Sequence, residues 1–123
     1  MTKVYYNKLV RDGIKNKIES KGDTCEVRVI TDENEFQQEL LKKVAEEAFA
    51  LSRVRTREDF LAEYADLMVV LDALTSHMEF SEADIKTAVT ENVGKKGFYK
   101  EKHFLHWSDD NGYVSNETPQ GIK

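Results

Sequence analysis

The sequence predicts an all-α domain, on three observations. Apolar residues recur at helical spacing through two long stretches. Polar N-cap signals precede both stretches. The one proline, Pro119, lies near the end of the chain, so no helix interior is interrupted. The expected architecture is a hairpin of two helices of about 20 residues each, flanked by a shorter helix at each end. Oligomerisation would complete a four-helix core.

The first helix is expected from Lys8 to Ser20, because Val10, Ile14 and Ile18 recur every fourth residue and Gly22 lies at its stop. Residues 25–30 alternate, with Val27 and Val29 on one side and Glu26 and Arg28 on the other. That pattern predicts a short extended piece, too isolated to form a sheet by itself. Asp32 and Glu35 form a capping-box pattern for the second helix. Phe36, Leu40, Val44 and then Ala48 or Leu51 carry its apolar stripe, and Arg53 and Arg55 suit a C-terminus near Val54.

Thr56 is placed to cap the third helix, with Glu58 and Asp59 in its first turn. Phe60, Tyr64, Leu67, Leu71 and Leu74 form its stripe, which Leu61, Met68, Val69 and Val70 widen. A helix this apolar is central, or buries a second face in a partner subunit. Ser81 and Asp84 open a fourth helix, expected to fade at Gly94. Phe98, Phe104 and Trp107 are expected to anchor the following segment to the core, although such rings can also stack on a base. The domain is read as residues 1–107, followed by a polar, mobile tail at 108–123.

Bulk properties narrow the function. The 123 residues suit one domain with a modest core. Charged residues are 33% and the formal net charge is −5, which argues against broad nucleic-acid binding. No stretch approaches the ~18 apolar residues of a membrane helix, and the N-terminus has no signal-peptide core. A lone cysteine, Cys25, fits a reducing interior, so a cytoplasmic location is expected. His77, His103 and His106 have no zinc-ligand spacing, and no glycine-rich phosphate loop is present.

The chemistry lies in two acidic clusters, Glu46-Glu47 and Glu63-Tyr64-Ala65-Asp66. Glu63 and Asp66 are three apart and share a helical face. Glu46 and Glu47 differ by about 100° around the axis, so only one can point fully into a packed seam. Acids on an apolar face are costly unless neutralised, and hard carboxylate oxygens favour Mg²⁺ or Mn²⁺. The bland alternative is a solvated acidic face.

These acids resemble the EExxE…ExxD signature of the MazG-like, all-α nucleoside triphosphate pyrophosphohydrolases. The first half reads Glu46-Glu47-Ala48-Phe49-Ala50 and the second Glu63-Tyr64-Ala65-Asp66. The opening Tyr6-Asn7-Lys8-Leu9-Val10-Arg11-Asp12-Gly13-Ile14 resembles the YNKLVRDKI start of a small-protein branch labelled phosphoribosyl-ATP pyrophosphohydrolase-like. The extended piece at 25–30 fits that branch. The stretch Lys95-Lys96-Gly97-Phe98, continuing to Phe104-Leu105, is similar to its RGGFxxxxFL ending.

The resemblance implies hydrolysis of a nucleoside triphosphate to the monophosphate and pyrophosphate, with Mg²⁺ bridging the phosphates. It implies Glu46, Glu47, Glu63 and Asp66 as metal-binding and catalytic residues. A homodimer or homotetramer is the expected assembly. Lys8 and Arg11, and Lys95 and Lys96, are candidates for contacting the substrate phosphates. Their alternatives are a solvated surface for the lysines and an Arg11–Asp12 pair tying the first helix to the hairpin. The chain departs from the pattern at Ala50, where the family has a third glutamate, and at Lys96, which replaces a glycine. The departure at Ala50 leaves a second expectation, a nucleotide-binding or helical interaction protein without full activity.

Overall fold

The computed structural model describes residues 2–116. Among them are four helices and no strand, so the fold is all-α. The helices are α1 (Ile14–Ser20), α2 (Glu33–Leu51), α3 (Arg57–His77) and α4 (Glu82–Lys96). The chain divides into two compact units, Met1–Ile85 and Lys86–Lys123.

In the first unit, α2 and α3 pack together as the expected hairpin. The link between them is only residues 52–56, which forces them antiparallel. Their far ends confirm the pairing. His77, in the last turn of α3, lies 3.4 Å from Glu33 in the first turn of α2. Its ring also meets Phe36 edge-on, with centroids 5.2 Å apart.

The hairpin has a small core: Leu40, Val70 and Leu74 are buried, at 3%, 6% and 9% exposure. Leu67 and Leu71 are half-buried beside them. Phe60 and Tyr64, expected in the same stripe, are instead exposed and stack on each other at 5.8 Å. Leu61, Met68 and Val69 are also exposed, so α3 is apolar well beyond the face that α2 covers.

Local hydrogen bonding explains the helix ends. Thr56 Oγ1 accepts from the Asp59 amide at 3.0 Å, as its sequence position predicts. Asp32 accepts from the Asn34 amide at 3.1 Å. Glu35, however, does not return to the cap. Its carboxylate pairs with Arg28 of the preceding extended segment, which holds the guanidinium above and the carboxyl below their ordinary values. The full reciprocal box forms at α4. Ser81 N donates to Asp84 at 2.9 Å, and Asp84 N donates to Ser81 Oγ at 3.0 Å. These bonds keep the Asp84 carboxyl below its usual range.

Several expected boundaries move. The first helix starts at Ile14, not Lys8. Asn7 adopts φ 47°, and the Asp12-Gly13 turn brings the Ile14 amide to Arg11 O at 3.1 Å. The apolar spacing from Val10 to Ile18 therefore crosses a turn rather than a continuous helix. α2 stops at Leu51, three residues before Val54, where Ser52 Oγ donates to Phe49 O at 2.6 Å. α4 passes through Gly94 and ends at Lys96. Gly97, at φ 77°, closes it with a 2.7 Å bond to Val93 O.

α3 ends without a glycine. Phe80 N donates to Thr75 O at 2.9 Å and Glu79 N to Ser76 O at 3.0 Å, a Schellman pattern with Glu79 at φ 64°.

The segment at 25–30 is coil with no ladder, and Cys25 within it is half-buried. Phe98, Phe104 and Trp107 belong to the second unit and are largely exposed within it. Helical periodicity cannot report burial for rings that follow the last helix. Residues 108–116 carry no helix, and the rest of the polar tail lies outside the described residues.

Candidate metal centre

The antiparallel hairpin brings the two acidic clusters together. Glu47 of α2 and Glu63 and Asp66 of α3 each offer a carboxylate oxygen, and these oxygens lie within 4.8 Å of one another. All three side chains are half-buried. The spacing of three between Glu63 and Asp66 puts them on one face of α3, and packing aims that face at Glu47.

The charge of this cluster is imperfectly compensated. Burial, followed by the neighbouring Asp66, Glu46 and Glu63 carboxylates, pushes the Glu47 carboxyl above its ordinary value. Only Lys43 opposes the rise, at 3.9 Å.

Glu46 has a different setting. Its two oxygens accept from Lys43 Nζ and Lys8 Nζ, each at 3.0 Å. Those bonds hold its carboxyl below the usual range. Glu46 therefore flanks the cluster that its neighbour joins, as a 100° step around the helix requires.

Lys8 and Arg11 both reach the acids. Arg11 Nη1 lies 3.6 Å from Asp66 Oδ1. The two basic residues come from the coil before α1, not from a helical face. Arg11 thus bridges to α3 rather than to Asp12. Lys95 and Lys96 sit in the exposed last turn of α4. Ala50 lies on α2, half-buried and without a ligand atom.

Lys43 was not among the residues singled out from sequence, although it contacts both Glu46 and Glu47 and is only 13% exposed. Its positions, three and four residues before the acids, were the available signal.

The donor set suits a hard divalent cation. Adjacent oxygens in an octahedral Mg²⁺ shell sit about 3.0 Å apart, given Mg–O distances of about 2.1 Å, so Glu47, Glu63 and Asp66 would draw closer to one another to share one ion. Among the described residues, the cluster consists of carboxylates alone.

In comparisons with protein-family models, curated proteins and solved structures, none matches this chain. No described helix is long and apolar enough to cross a membrane.

Proposed function

We propose that this protein is a Mg²⁺-dependent nucleoside triphosphate pyrophosphohydrolase of the MazG-like kind. It releases pyrophosphate from a canonical or damaged (deoxy)nucleoside triphosphate. The observation carrying the reading is the convergence of Glu47, Glu63 and Asp66 from two helices. Mg²⁺ or Mn²⁺ held there would screen the phosphate oxygens and stabilise charge developing in the transition state. Glu47, Glu63 and Asp66 are the proposed ligands. Glu46 is the outer carboxylate, positioned by Lys43 and Lys8. Lys8 and Arg11 stand beside the acids, where phosphates would lie. Lys95 and Lys96 are proposed as further phosphate contacts on the strength of the RGGFxxxxFL resemblance.

The assembly proposed is a homodimer or homotetramer. Support comes from the three-residue core of the hairpin and from the exposed Phe60, Leu61, Tyr64, Met68 and Val69 on α3. A second copy packing there would complete four helices around one core. The free Cys25 thiol fits a cytoplasmic protein.

Ala50 favours a second reading, nucleotide binding without turnover, because the family's third glutamate is missing. Pyrophosphate release from a panel of (deoxy)nucleoside triphosphates, with Mg²⁺, Mn²⁺ or EDTA, decides between the two. Metal-dependent release establishes the enzyme. Nucleotide binding without release establishes the second reading. A folded protein that binds neither metal nor nucleotide leaves only a helical interaction module.

A further inference from the structure

We propose that the coil carrying Lys8 and Arg11 is a displaceable latch on the acidic cluster. Without metal its cations neutralise Glu46 and Asp66, and on metal binding they transfer to the substrate triphosphate. This inference rests on the metal-site reading above.

Three observations carry it. Two cations of the segment, Lys8 and Arg11, pair with acids far away in sequence. Lys8 reaches Glu46 on α2 at 3.0 Å, and Arg11 reaches Asp66 on α3 at 3.6 Å. The two contacts tie the segment to both helices of the hairpin, one of them at a cluster acid. The segment is also weakly held otherwise. It is coil from residue 2 to 11, and only Leu9 within it is even half-buried.

Finally, both pairs are open to solvent. The side chains of Lys8 and Glu46 are each 42% exposed, and those of Arg11 and Asp66 are 56% and 47% exposed. Ion pairs this exposed are weak and readily screened.

Charge decides what happens next. A divalent cation shared by Glu47, Glu63 and Asp66 takes the Asp66 oxygens, and its charge repels the nearby guanidinium. Arg11 must then give up Asp66, which leaves the exposed Lys8–Glu46 pair to hold the segment. A triphosphate arriving with the metal offers both cations new oxygens in the same place. A guanidinium suits them well, since it can donate two parallel bonds to a phosphate. Metal and segment therefore compete for the acids, while nucleotide and segment cooperate.

The test measures Mg²⁺ affinity by titration calorimetry for the wild type, Arg11→Gln and Lys8→Gln. Hydrogen exchange of residues 2–12 is followed alone, with Mg²⁺, and with Mg²⁺ plus a non-hydrolysable nucleoside triphosphate analogue. Circular dichroism checks that each variant keeps its helices. Removing Arg11 is expected to tighten Mg²⁺ binding by about two- to five-fold, the scale of one exposed pair, and to weaken binding of the analogue. Exchange of the segment should rise with Mg²⁺ and fall again with the analogue. If Mg²⁺ binds with the same affinity to all three proteins and exchange does not change, the latch is wrong and the metal site stands. If Mg²⁺ binds none of them, the metal-site reading fails and the latch falls with it.

Discussion

Glu46 and Glu47 are adjacent in the chain and oppositely perturbed. Lys43 and Lys8 hold the Glu46 carboxyl low, while burial and Asp66 push that of Glu47 up. The two acids therefore act on stability in opposite senses. Glu46 stabilises the fold above its unfolded carboxyl value, and this is lost as pH falls through its folded value. Glu47 favours the fold below its unfolded value, and this is lost as pH rises through its folded value. Near neutrality Glu47 is a charge the fold tolerates at a cost.

Glu47→Gln should therefore melt at a higher temperature than the wild type at neutral pH without metal. The gap should close as the pH drops into the carboxylate range. Addition of Mg²⁺ should raise the melting temperature of the wild type by linkage and leave the variant nearly unmoved. Thermal melts across pH, with and without Mg²⁺, read all three outcomes; a variant less stable than wild type at neutral pH would contradict the charge assignment.

Asp66→Asn should abolish hydrolysis while preserving helix content. The amide keeps the shape but loses a ligand charge, and the drop should exceed the ~10–100-fold typical of losing a supporting partner. Unchanged turnover would remove Asp66 from the site.

Ala50→Glu should add the carboxylate that the MazG-like resemblance implies at this position. Mg²⁺ affinity is expected to rise by about tenfold, because affinity follows the number of charged ligands. A titration showing no gain would mean that position 50 does not face the metal.

Glu79→Gly should stabilise the protein by about 1 kcal/mol. Glu79 closes α3 at φ 64°, a conformation glycine adopts without steric cost. Chemical denaturation of the two proteins measures the difference.

The hairpin was legible in the sequence because its signals agree with one another. Caps at Asp32 and Thr56, a strong apolar stripe and a short link all specify the same two helices. The acidic site was legible in part. The spacing of Glu63 and Asp66 fixed their shared face, but adjacency alone could not say which of Glu46 and Glu47 turns inward.

The N-terminal segment was misread because Val10, Ile14 and Ile18 keep helical spacing across a turn at Asp12-Gly13. The pairing of Glu35 with Arg28 rather than with its cap depends on how the 25–30 segment approaches α2. No local pattern encodes that approach.

The brevity of the 52–56 link has a kinetic consequence. Contacts between α2 and α3 join residues close in sequence, so closing the hairpin costs little loop entropy. The hairpin should form on the microsecond-to-millisecond scale at a rate independent of protein concentration. In the proposed oligomer, the copy that covers the outer side of α3 arrives by diffusion. Refolding from denaturant should accordingly show a fast phase that ignores dilution, followed by a slower one that does not.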